Sequence, residues 1–211
     1  DQIIVTPHLG ASTKEAQLNV AKQVAKEVVS FVDSIPVSNS INLPAIPAEL
    51  FSRIQPYYQL VRTLGSFLSQ FINEGIKEIS ITYGGDSFDY DTSILTKALV
   101  SGFFKGRVDV NVNEVNALLY AKERSITVGE KISNEAHGYS SSVTVKVVGE
   151  TKKMEVKATY IKEYGPRIFA INDFKIDFYP EGHILYIQHH DRPGVIGVVG
   201  KKLGDLNLNI A

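Results

Sequence analysis

SVTVKVVGETKKMEVKATYIK, residues 142–162, alternates with a period of two: Val143, Val145 and Val147 fall on one side, and beyond the GETK of 149–152 Met154, Val156, Ala158 and Tyr160 answer them. Successive side chains of a strand point to opposite faces, so this stretch reads as a hairpin with one buried face. A second, tighter hairpin follows it. Ile168 to Ile171 runs into Asn172-Asp173 and then Phe174, Ile176 and Phe178, and Asn and Asp tolerate the positive backbone angles of short hairpin turns. Upstream the period changes. Tyr57, Leu60, Val61, Leu64, Phe67, Leu68 and Phe71 keep helical spacing, with Pro56 expected near the first turn and Gly75 just past the end. Ile79, Ile81 and Tyr83 alternate as a strand before the turn-rich GGDSFDYD of 84–91. Ile94, Leu95, Ala98 and Leu99 return to helical spacing, and Val112, Val115, Leu118 and Leu119 predict one more helix. Helices followed by hairpins indicate an α+β domain.

Working outward, Ile35 to Pro47 holds three prolines, two asparagines and two serines without a sustained period, which predicts an extended linker. Ahead of it Ile3, Ile4 and Val5 form a short apolar run that Pro7 stops, the expected end of a buried strand. Ser12 and Glu15 then make a capping box, and Val20, Val24, Val28 and Phe31 carry a helix to about Ser34. On the other side Gly182 punctuates a change to a β-α-β pattern. Leu185 and Ile187 read as a strand, DRPG at 191–194 as a turn, Val195 to Leu203 as a helix, and Leu206 onward as a strand barely begun at Ala211. The expected division is 1–34, 35–47 as linker, 48–181 and 182–211. Asp1 opens directly onto a β-branched run and Met154 is the only methionine, so the natural start is expected upstream and the chain reads as a fragment.

Composition narrows the chemistry. An apolar content of 44% supports packed cores, and 22 basic against 23 acidic residues leaves a net charge of -1, without the field that draws a protein to nucleic acid or anionic lipid. Neither nucleic acid nor membrane is an expected partner. No apolar run approaches the roughly 20 residues that span a bilayer and no signal-peptide pattern opens the chain, which predicts a cytoplasmic protein. With no cysteine, disulfides, thiolate nucleophiles and Cys-ligated clusters are excluded. Asp86, Asp89 and Asp91 lack the calcium-loop pattern and read as turn and cap residues, so no metal site is expected.

His8 lies in a loop between the presumed strand and the capped helix, the usual place of function in an open α/β sheet, although a loop histidine can equally serve the loop backbone alone. The string TPHLGASTKEAQ, residues 6–17, resembles the segment that closes the nucleotide-binding domain of D-2-hydroxyacid dehydrogenases. That resemblance implies that His8 is the catalytic acid/base: hydride transfer from an alcohol leaves a proton to move, and imidazole titrates near neutrality. It also implies that Gly10 and Ala11 line the nicotinamide end of NAD, where small residues permit close approach. The family's partner carboxylate, substrate-gripping Arg and glycine-rich pyrophosphate turn would all lie upstream. GVIGVVG at 194–200 has the wrong spacing for that turn and is expected to serve close helix packing.

INLPA at 41–45, VNVNEVNALLYAKERSI at 110–126 and GPRIFAINDFKIDFYPEGHILYIQHHDRPGVIG at 165–197 resemble D-3-phosphoglycerate dehydrogenases of the long type, a match spanning nearly the whole chain. The fold so implied is the end of a Rossmann-type nucleotide-binding domain, then an α+β inserted regulatory domain, the allosteric substrate-binding domain, and an incomplete ACT domain of ferredoxin-like type. The implied activity is oxidation of 3-phosphoglycerate to 3-phosphohydroxypyruvate with NAD, restrained by L-serine in a homo-oligomer. For the inserted domain Lys122 and Arg124 are candidates to hold a regulatory anion, against the alternative of a solvated helix end. For the effector, His189, Asp191 and Asn209 stand at the family's positions: a zwitterion requires an acceptor for its ammonium and donors for its carboxylate. Some relatives carry Asn in place of Asp191 and Tyr in place of His189. Two rivals stay open: a non-catalytic module binding an amino acid or anion, which leaves TPHLGAST unexplained, and a serine dehydratase subunit, whose cluster chemistry needs cysteines that this chain lacks.

Overall fold

Alternation and helical spacing both translate into elements, and the computed structural model describes residues 5–7, 9–32, 41 and 48–209. Chain contacts divide into two units, Asp1–Pro180 and Glu181–Ala211. The first runs through α1 (Lys14–Val32), α2 (Ala48–Ser69), β1 (Ile76–Gly85), α3 (Ser93–Phe104), α4 (Ala117–Glu123), β2 (Thr127–Ser133), β3 (Ser141–Gly149), β4 (Lys153–Ile161), β5 (Gly165–Ile171) and β6 (Phe174–Phe178). The second contains α5 (Val195–Asp205).

The strands form one sheet in the order β2-β1-β3-β4-β5-β6, parallel between β1 and β2 and antiparallel elsewhere. Register follows the apolar alternation. Val143 faces Ala158, Val145 faces Val156 and Val147 faces Met154, so both strands present their apolar set to the same side. Asn172 turns the second hairpin at φ 50°, as its short polar side chain allows. This buried face, with Ile79, Ile81 and Tyr83 of β1, packs against α2, whose Leu60, Val61, Leu64 and Leu68 are essentially inaccessible. Burying each such side chain contributes about 1.5–3 kcal/mol. The opposite face carries Ser80, Thr82, Thr144, Lys146 and Lys157 and is polar.

Helices α2 and α3 touch backbone to backbone. A Cβ on Gly65 would collide with the Leu99 carbonyl oxygen and stand 2.7 Å from the Phe103 nitrogen, and one on Gly102 would collide with the Arg62 carbonyl. Only glycine permits that approach. A polar chain ties α3 to the sheet: Tyr83 OH lies 3.0 Å from Thr96 Oγ1, and Thr96 and Thr92 both donate to the Glu130 carboxylate of β2. Burial pushes the Tyr83 phenol well above its ordinary range. Because the Thr92 hydroxyl is spent on Glu130, this N-cap makes no side-chain cap bond.

Several expectations are corrected. Thr13 rather than Ser12 caps α1, its hydroxyl accepting from the Ala16 amide at 3.1 Å. The apolar stripe of α1 is exposed, with none of its residues buried. α2 begins eight residues before Pro56 and encloses it, a feature that costs a helix about 3 kcal/mol. Ile54, at 1% exposure, anchors the turn ahead of the proline in the core and holds the helix through it. α4 is shorter than the spacing predicts: Val112 and Val115 precede it, Leu118 and Leu119 are exposed, and the small Ala117 and Ala121 are the buried contacts. β2 went unread because, as a half-covered edge, it shows no clean alternation. In the second unit 184–187 form no strand among the described residues, since an extended segment becomes a strand only beside a ladder partner. Pro193 precedes α5 instead of occupying its first turn, and Gly194, at φ 88°, is the N-cap. Gly197 and Gly200, expected at a close packing contact, face open space. The presumed strand at 3–5 and the linker at 35–47 fall almost entirely outside the described residues.

Candidate functional site

The first unit holds a hollow of about 390 Å³ between the start of β1, the end of α3, the α4–β2 connection and the β3–β4 turn. Three cations line it, Lys77, Arg107 and Arg124, together with Glu74 and Glu150, over Phe104, Val108 and Ile126. Arg107 follows Gly106, whose φ of 81° reverses the chain after α3. Its guanidinium donates to three carbonyls just beyond or at the end of α2: Ser69 at 2.9 Å, Glu74 at 3.0 Å, and Ile72. Partial burial lowers its pKa. Arg107 is therefore first a latch on the α2–β1 connection, and only its remaining donors face the hollow.

Arg124 is held differently. It is the C-cap residue of α4, with its guanidinium 3.4 Å from the Tyr120 ring centroid and a bond from Nη1 to the Tyr120 carbonyl. Stacking fixes the plane and leaves in-plane donors for a carboxylate or phosphate. Lys122, paired with it in the sequence reading, is exposed on α4 and does not line the hollow. Glu74 accepts from the amides of Thr151 and Lys152 at 2.8 and 2.7 Å and from Thr151 Oγ1 at 2.7 Å. The Thr151 hydroxyl and these amides hold its carboxyl below the ordinary value of 4.5. These bonds turn its carboxylate toward the β3–β4 turn without removing its charge, so the three cations outnumber Glu74 and Glu150 in the lining by one, a modest bias toward anions. Lys77 and Arg107 were missed because, in sequence, each is one more cation beside a turn.

In the second unit His189 and Asp191 share a hollow of about 420 Å³ with Arg192, Pro193, Gly194, Ile196 and Gly197. His189 Nδ1 lies 2.8 Å from the His190 carbonyl, which therefore accepts from it when that nitrogen is protonated. The Asp191 carboxylate is exposed; the Val195 amide donates to the Arg192 carbonyl at 3.4 Å, and with no side-chain cap on α5 the Ile196 and Gly197 amides are the donors open to an anionic group. An acceptor beside open donors suits an amino-acid zwitterion. Asn209 is exposed and does not line this hollow.

His8 lies outside the described residues. Gly10 and Ala11 form the turn ahead of α1, Ala11 at φ 55°, with the Ser12 amide bonded to the Leu9 carbonyl at 3.3 Å. Both lie open or half open, and no described side chain builds a cradle around them. These residues alone do not fit a dinucleotide. Asp91 accepts from the Ser93 amide at 2.9 Å, the turn role expected of it, and Asp89 pairs with Arg53 at 2.9 Å. Among the described residues no cluster could hold a metal ion, and no helix is long and apolar enough to cross a membrane.

A family model described as the D-3-phosphoglycerate dehydrogenase intervening domain matches residues 53–172. The chain belongs to that family. The matched stretch of the intervening domain covers the six-stranded sheet up to the second hairpin turn, with α3, α4 and most of α2. The chain is 53% identical over 209 residues to a D-3-phosphoglycerate dehydrogenase of Bacillus subtilis, covering 99% of this chain and 40% of that protein. It is 35% identical to the enzyme of that name from Archaeoglobus fulgidus and 34% identical to that of Synechocystis, again over nearly all of this chain. The chain thus spans about 40% of the length of these relatives. The family expected from INLPA, AKERS and the DRPG stretch is borne out, as is the α+β class of the inserted domain.

Proposed function

We propose that the chain is the regulatory portion of an NAD-dependent D-3-phosphoglycerate dehydrogenase, which oxidises 3-phosphoglycerate to 3-phosphohydroxypyruvate in the cytoplasm on the way to L-serine. The observation that carries the reading is the similarity to the Bacillus subtilis enzyme, which runs through both units rather than the sheet alone. In this reading 1–34 end the nucleotide-binding domain, 35–47 link it to the inserted domain at 48–181, and 182–211 open an ACT domain. His8 is the proton carrier of the longer protein, and Gly10 and Ala11 lie at the nicotinamide end of its NAD. The hollow of Arg124, with Lys77 and Arg107 joining it, takes a carboxylate or phosphate, and Lys122 contributes only long-range charge.

L-Serine is the effector, with its ammonium on Asp191, its carboxylate on the first-turn amides of α5, and His189 and Asn209 completing the site in a homo-oligomer. The chain alone is expected to be catalytically inactive. Titrating the full-length protein with L-serine while following NADH formation tests the reading. Inhibition should appear at or below millimolar serine and be lost in Asp191→Ala with turnover intact. An enzyme indifferent to serine, or one whose inhibition survives that change, contradicts the regulatory assignment. Absence of NAD-dependent turnover contradicts the whole.

A further inference from the structure

The sheet ends at β6, whose outer backbone edge has no ladder partner among the described residues of its unit. Phe174 pairs with Ile171 and Phe178 with Ile168 on the core side, where Phe178 stacks 6.1 Å from Phe67; the β5–β6 register shifts between Lys175 and Phe178, and across that shift Lys175, beside Ala170, and Asp177, bonded to Arg167, take the other face. Exposed edges normally carry charge to repel other strands. Here the charge pattern does the reverse. Phe-Lys-Ile-Asp-Phe is symmetric about Ile176, so a second copy laid antiparallel sets Lys175 opposite Asp177, Asp177 opposite Lys175, and each outer Phe opposite the other.

Register is selected as well. Facing residues in an antiparallel pair must share a face, so the nearest permitted slips move by one position of the same face. One slip sets Lys175 against Lys175, and the other sets Asp177 against Asp177. Lys175 has no ion-pair partner among the described residues, whereas Asp177 engages Arg167 through one oxygen at 2.8 Å and keeps the other. Phe174, at 46% exposure, is the apolar surface that pairing would cover.

We propose that β6 is a self-complementary docking edge, on which a second copy of this chain adds its own β6 antiparallel about Ile176 and joins two six-stranded sheets into one. The proposal gives the homo-oligomeric reading above a specific surface and is independent of the hollows. Sedimentation velocity on the whole chain tests it. The wild type is expected to be a dimer. Lys175→Asp and Asp177→Lys should each weaken association about tenfold or more, and the double variant should restore it, because the pairs are then swapped rather than lost. Lys175→Asp leaves the Arg167 pair untouched and carries the test if the other single variant fails to fold.

The chain has no cysteine, so Ile176→Cys provides a second readout. Facing Cα atoms about 4.5–5.5 Å apart lie within disulfide reach, and mild oxidation should yield a covalent dimer. A wild type that stays monomeric at about 100 µM, where micromolar association would be saturated, overturns both this edge and the homo-oligomeric reading of the chain. A dimer that is indifferent to Lys175→Asp and does not cross-link at position 176 overturns the edge alone.

Discussion

Gly65→Ala is the sharpest probe of the fold, because it adds one methyl group where two helices meet. The new Cβ would overlap the Leu99 carbonyl and sit 2.7 Å from the Phe103 nitrogen, both main-chain atoms of α3 that cannot swing aside. The helices must therefore part, opening a layer whose Leu64, Leu68 and Leu99 are essentially inaccessible. Overpacking of this kind costs about 1–3 kcal/mol, and a rigid backbone obstacle places it at the upper end. Alanine returns about 1 kcal/mol through its better helix propensity, for a net loss of about 2 kcal/mol. With a urea slope of about 2 kcal/mol/M, the unfolding midpoint should fall by about 1 M. Gly102→Ala meets the Arg62 backbone from the opposite side, and because one separation of the helices relieves both clashes, the double variant should lose less than the sum. Equal or higher stability for Gly65→Ala, where propensity alone operates, would refute the close-contact argument.

Two further perturbations address the first hollow. Arg107→Lys keeps the charge but cannot span the carbonyls of Ser69, Ile72 and Glu74, so thermal unfolding should show a loss of about 1.5–3 kcal/mol; a neutral result would mean that the latch is ornamental. Glu74→Gln should lower stability near neutral pH. Since the folded carboxyl titrates below 4.5, its contribution is complete above that value and is lost as pH falls through the lowered one, so urea midpoints of the two proteins should converge in acid. A gap independent of pH would exclude charge as its origin.

Elements with one clean face were legible in the sequence, and shared or borrowed stability was not. The β3–β4 hairpin was readable because Val143, Val145 and Val147 bury one face while Thr144 and Lys146 stay out. β2 was silent because an edge strand buries little, and its Glu130 answers Thr92 and Thr96, a partnership distant in sequence. Pro56 misled because local stereochemistry argues for a helix start there, and only the burial of Ile54 explains the longer helix. In the hollows, Asp191 and His189 were placed together by the family resemblance of the stretch around DRPG, whereas Arg107 and Lys77 meet Arg124 only after the chain has crossed from β1 to β2. Lys122, although two residues from Arg124, does not reach the lining of the first hollow, and Asn209 does not line the hollow that His189 and Asp191 share.

The placement of β1 also dictates an order of events. It lies inside the sheet yet is made before either neighbour, with Ile79 pairing to Val128 on one side and Val147 on the other. During synthesis α2, β1 and α3 leave the ribosome with their greasy surfaces unmatched, and the local hairpins that could cover them emerge last. Closure must therefore be a late, long-range step governed by the arrival of β3, leaving a window in which nascent chains are vulnerable to chaperone capture or aggregation.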